Sequence, residues 1–84
     1  MAYAVEVRRS VQKTISRLDK PLRERLYNAL RNLADDPRPY GAKKLSNRDG
    51  WRIRVGEYRV IYEVFDDRLV VVVIRIGHRR EVYE

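Results

Sequence analysis

Apolar and polar positions change their period twice along this chain. Residues 3 to 7, YAVEV, alternate and predict a short strand. From there the interval lengthens: Val11, Ile15 and Leu18 recur at helical spacing and form one apolar stripe, with Ser10 as the expected cap. A second helical run follows in Leu22, Leu26, Ala29, Leu30 and Leu33. Asp19 precedes it as the expected N-cap, and Pro21 falls in its first turn, where a missing N–H costs nothing. The stretch DDPRPYG stops this helix, since each proline disfavours helix in the residue before it. Two helices joined at LDK predict an antiparallel hairpin, shaped to cover one face of a sheet.

The second half reads as strand. After a basic loop, GAKKLSNRDG, come Trp51 to Val55, Tyr58 to Phe65 and Leu69 to Ile76, joined by Gly56-Glu57 and Asp66-Asp67. The expected order is βααβββ or βααββββ. That is one α+β domain, residues 1–84, with an N-terminal strand and a helical hairpin packed on a mainly antiparallel twisted sheet.

Two-residue turns fix register, so the faces of the sheet follow. With Gly56-Glu57 as the turn, Arg54 faces Arg59 and Arg52 faces Ile61, which puts all three arginines on one side. Ile53, Val55, Val60, Tyr62 and Val64 take the other side and suit it to receive the helices. Carried through Asp66-Asp67, the same count sets Arg59 against Ile74. It adds Val70, Val72, Ile76 and His78 to the arginine side, where Glu63 also lies. Like charges directly opposed in a sheet destabilise it, so the Arg54–Arg59 pair favours an anion site over a merely solvated face.

Bulk charge strengthens that expectation. Nineteen Lys and Arg against twelve Asp and Glu give +7, and fifteen of the nineteen are arginine. Arginine's planar fork grips phosphate oxygens in pairs and stacks on bases, as lysine cannot. A nucleic acid or an acidic protein partner is therefore expected. The Arg9, Lys13, Arg17 stripe on the first helix reads as solvated surface.

The chain has no cysteine, hence no disulfide and no thiolate metal site, which fits a reducing cytoplasm. Its longest apolar run, Leu69 to Ile74, is too short to span a bilayer, and its first residues lack the apolar core of a signal peptide. No membrane association, metal or small-molecule cofactor is expected. The tail GHRREVYE brings His78, Arg79, Arg80 and Tyr83 to one edge of the sheet. Arginine and tyrosine beside a cationic cluster are the composition of an RNA cleft, with guanidinium on phosphate and a ring under a base.

The segments DPRPYGAKKL, RIRVGEYRVIY and IGHRREVY resemble the RelE/ParE-type toxins of toxin–antitoxin systems, and the likeness runs through nearly the whole chain. The RelE branch, resembled more closely, implies a ribosome-dependent endoribonuclease, an mRNA interferase, held in check by a cognate antitoxin. The ParE branch implies the alternative, a gyrase inhibitor that cuts nothing. The RelE pattern implies a catalytic set of Arg52, Arg54, Arg59, Arg79 and Tyr83. Contacts to messenger and ribosomal RNA are expected from Lys43, Lys44, Arg48, His78 and Arg80.

The implied chemistry is attack of a ribose 2′-OH on its own 3′-phosphate. In that reading Arg59 holds the phosphate, Arg79 assists the leaving group and Tyr83 stacks on a base. The strand pair is often lysine in the family and is arginine here. Arginine stays protonated and makes a poor base. Either electrostatics and ribosomal groups carry the reaction, or His78 or Tyr83 takes the proton.

Overall fold

The computed structural model describes residues 2–46, 49–78 and 80. Its elements are β1 (Ala4–Val7), α1 (Arg9–Ser16), α2 (Lys20–Asn32), β2 (Lys43–Lys44), β3 (Gly50–Val55), β4 (Tyr58–Phe65) and β5 (Val70–His78). The strands form one sheet in the order β1-β5-β4-β3-β2. β1 runs parallel to β5 and every other pairing is antiparallel. Both helices lie on one face, α1 against β5 and α2 against β3.

That face carries the core. Ile53, Val55, Val60, Tyr62, Val64, Val71, Val73 and Ile76 meet Val11, Ile15, Leu26, Leu30 and Leu33 there, all buried. The apolar stripes of the two helices, read at helical spacing, are thus the ones that pack. Leu18, Leu22 and Ala29 lie against the edge of the cluster. At the centre stands Tyr62, fully buried, whose hydroxyl donates to the Pro37 carbonyl at 2.7 Å. Burial pushes its phenol up to about 12, so the ring stays neutral and keeps donating. This bond ties the chain leaving α2 to the middle of the sheet.

Three local expectations need correcting. Ser10 does not cap α1: the helix begins at Arg9 and Arg8 takes the cap position, with φ −59° and ψ 147°. The cause is upstream, where the Arg8 N–H donates to the Val73 carbonyl at 3.1 Å and the chain passes from strand to helix without a spare residue. Asp19 does occupy the N-cap position of α2, with Pro21 just inside, yet its side chain makes no capping bond. Asp66-Asp67 is not a two-residue turn. Phe65 pairs with Val70, so the turn spans 66–69 and ends on Leu69, held at φ 54°.

A polar clamp fixes that end of the sheet. Arg38 grips Asp66 with both terminal nitrogens, at 3.2 and 2.7 Å, and the Tyr3 hydroxyl donates to the same carboxylate at 2.5 Å. Arg38 also lies 5.2 Å from the centre of the Trp51 ring. Those hydrogen bonds, from Arg38 first and Tyr3 second, hold the Asp66 carboxyl below its ordinary 3.8. A lowered folded pKa stabilises the fold above the unfolded value, and that contribution is lost as pH falls through the folded one. Asp66→Asn is therefore expected to lower the thermal midpoint at neutral pH. The gap from wild type should close as pH drops below 3.8. Melting curves of both proteins from pH 7 to pH 2 check it.

Candidate functional site

The sheet face turned away from the helices is organised in rungs. Gly56-Glu57 sets them: Gly56 has φ 59° at the first central position of the β3–β4 turn, as a type II′ hairpin requires. Any other residue there is strained, and a Cβ at Gly56 meets the Arg25 guanidinium of α2 at 3.4 Å. From this turn the register runs as expected, with Arg54 opposite Arg59 and Arg52 opposite Ile61. Opposed side chains begin about 4.5–5.5 Å apart, so the first pair starts two cationic side chains next to each other.

Neighbouring strands extend the rungs. Lys43 of β2 pairs with Arg52, and Arg75 of β5 pairs with Ile61, giving a row Lys43–Arg52–Ile61–Arg75 across four strands. The next row toward the turn is Arg54–Arg59–Gly77. Gly77 puts no side chain of its own beside Arg59. One rung the other way stands Glu63, opposite Gly50. The end of the face nearest the Gly56 turn is thus cationic.

Burial differs among these cations. Arg54 is exposed, Arg59 is half-buried and Arg52 is only 5% exposed, with the Nε atoms of Arg52 and Arg59 both out of contact with water. Ile61, in the same row as Arg52 on this face, is also buried. Long arginine stems can lie over apolar surface while their heads stay polar. Charge held out of bulk water acts on a neighbouring anion through a lower dielectric, hence more strongly.

The far half of β5 departs from the expected face. A bulge sits at Ile61/Tyr62, so Tyr62 pairs with Val73 but Ile61 pairs with Arg75. Arg59 consequently faces Gly77, not Ile74. Val70 and Val72 stay on the arginine side, whereas Ile76 is in the core. His78 leaves the arginine side as well: it pairs with Tyr58, and their rings meet edge to face at 5.8 Å. In exchange the bulge brings in Arg75, which sequence reasoning missed. Arg25 was also missed, because α2 reads as an amphipathic cover and nothing in its spacing points to the hairpin turn.

Lys43 and Lys44 form β2 rather than a loop and point to opposite faces. Lys43 joins the cationic rungs, and Lys44 lies 5.3 Å from the Trp51 ring centre on the other side. Arg80 is exposed, and its backbone N–H approaches His78 Nδ1 at 3.4 Å. Arg48, Arg79 and Tyr83 lie outside the described residues.

A small α+β domain with two helices on one face of a mainly antiparallel five-stranded sheet is the fold of the solved RelE toxins that this chain resembles. A model of the ParE toxin of type II toxin–antitoxin systems, parDE, matches residues 3–83, and the chain belongs to this family. Within it the named relatives are RelE proteins. The chain is 32% identical over 87 residues to the mRNA interferase toxin RelE of Escherichia coli K12, covering 99% of this chain and 92% of that one. It is 30% identical to a putative RelE-like toxin of Escherichia coli, over 94% of this chain and 85% of that one. Among solved structures, the archaeal RelE–RelB complex of Pyrococcus horikoshii matches with a TM-score of 0.88 at 28% identity, covering 98% of this chain and all of that one. The intact Escherichia coli RelBE toxin–antitoxin complex matches at 0.80 and 29% identity, over 92% and 96%.

Proposed function

We propose that this chain is the toxin of a toxin–antitoxin pair and acts as an mRNA interferase in the cytoplasm, cutting messages at the ribosome. The observation that carries this is the convergence of Lys43, Arg52, Arg54, Arg59 and Arg75 on the face the helices leave open. The RelE names of its relatives agree with it.

The ribose 2′-hydroxyl gives up its proton as its oxygen attacks the adjacent phosphorus. The P–O5′ bond breaks as the 5′-oxygen takes up a proton, and the products are a 2′,3′-cyclic phosphate and a 5′-hydroxyl. Negative charge builds on the phosphorane oxygens as the new bond forms. Arg59, opposite Gly77 and partly withdrawn from water, would hold that phosphate. Arg54 and Arg52 add fixed positive charge along the same strand pair, and such preset electrostatics is usually the largest catalytic contribution. Arg79 assists the departing 5′-oxygen and Tyr83 stacks on a base in this scheme. Because His78 shares the Tyr58 side of the sheet, it is the weaker candidate for the proton from the 2′-OH.

A cognate antitoxin completes the proposal. With +7 on the toxin and an arginine-lined face to cover, its neutralising segment should carry Asp and Glu among apolar anchors and order itself on binding. Lys44, Arg48, His78 and Arg80 are left to contact messenger and ribosomal RNA.

Primer extension on a cellular transcript after induced expression tests the reading. New 5′ ends within codons, with translation arrested, are the expected result. An intact transcript together with a DNA-damage response would instead point to gyrase inhibition.

A further inference from the structure

β2 ends at Lys43, yet β3 continues to Val55, so the outer edge of β3 stands open over Ile53–Val55. The preceding chain swings away from it. Ala42 N–H donates back to the Pro39 carbonyl at 2.9 Å, and Gly41 takes φ 91°. Between this loop and the strand edge lies a groove of about 470 Å³, within the size range of small-ligand sites. Ala29, Ile53 and Val55 give it apolar wall, Asn32 a side-chain amide, and Lys43 and Arg54 a cationic mouth. Tyr40 lines it with a ring fully exposed to solvent.

We infer that this groove is a nucleobase subsite, and that Tyr40 is the platform on which an unpaired base of the message stacks. The inference rests on the interferase reading and adds to it a place for a base beside the phosphate.

Three features fit that occupant. A base has two apolar faces and a polar rim, matching apolar walls that end in hydrogen-bonding groups. Arg54 faces Arg59 in a non-hydrogen-bonded pair, one position in from the turn pair Val55–Tyr58. Its backbone N–H and C=O therefore point away from β4, past the last β2 rung and into the groove. A donor and an acceptor side by side, with Asn32 also lining the groove, suit the polar rim of a base. Lastly, Lys43 and Arg54 also stand on the phosphate face, so a nucleotide seated here keeps its phosphate among the arginines.

The test is cleavage of defined messages on purified ribosomes by the full chain. The A-site codon is varied one nucleotide at a time, and Tyr40→Ala, Tyr40→Phe and Asn32→Ala are compared with wild type. Stacking tolerates every base, so Tyr40→Ala should slow cleavage about tenfold at all codons. Tyr40→Phe should keep the wild-type rate. Asn32→Ala should change the ranking of codons. Tyr40 is fully exposed, so its variants should melt with wild type, which separates lost stacking from lost fold. Wild-type rates and ranking in folded Tyr40→Ala and Asn32→Ala would overturn the subsite alone. So would a Tyr40→Ala protein that cuts normally but escapes its antitoxin, since the groove would then belong to that partner. A wild-type chain that cuts no message sinks the interferase reading itself, and the subsite with it.

Discussion

Arg59→Ala is expected to slow message cleavage by about 10²–10³-fold while the protein stays folded, because one preset donor to a developing oxyanion is worth about that much. Growth arrest on induction should disappear with it. The fold should survive because Arg59 sits on the helix-free face, and the residues packed under α1 and α2 are untouched. Removing it also relieves its opposition to Arg54, a like-charge pair that sheets disfavour. Loss of activity without loss of thermal midpoint is the pattern to look for, in ribosome cleavage assays beside melting curves. A folded variant that still arrests growth at the wild-type level removes Arg59 from the site.

The largest stability effect should come from Leu26→Ala. Leu26 is fully buried in α2, where the helix meets the sheet. Truncating such a leucine costs about 2–5 kcal/mol, the lost transfer energy plus the cavity left behind. A domain of 84 residues holds on the order of 4–13 kcal/mol in all, so the variant should be close to unfolding at body temperature. Urea titrations should show a lower midpoint at an unchanged slope. Because a partner that binds only the folded chain stabilises it by mass action, adding antitoxin should recover much of the loss. Recovery by antitoxin separates this variant from Arg59→Ala, whose defect no partner repairs.

Where the chain sequence was enough, a short-range rule did the deciding. Gly56-Glu57 leaves one way to pair β3 with β4, and the three arginines of that hairpin were placed correctly from it. Helical spacing likewise found the buried stripes of α1 and α2. Beyond Phe65 the sequence marked the strand but not its far register. Val70 to Val73 suit either face equally, so nothing marked the bulge that exchanges Ile74, Ile76 and His78 for Arg75 and Gly77. The parallel pairing of β1 with β5 joins ends of the chain that no local pattern connects. Strand β2 is two lysines long and looks like any basic loop. Arg25 and Tyr40 were missed because their interest comes from tertiary neighbours, a turn glycine and an open strand edge.

The bulge in β5 also divides that strand into two inheritances. Val71 and Val73, on its near side, answer to the helices, while Arg75 and Gly77, on its far side, answer to whatever the arginine face binds. With the extra residue absorbing the change of face between them, a lineage can remodel its core without re-aiming its chemistry, or refit its chemistry without disturbing its core. Pairing Ile74 regularly, with no bulge, would undo the separation, turning Arg75 inward and Ile76 outward at once. Among homologues, a β5 shorter by one residue at this point should therefore run without the bulge and keep the same two faces.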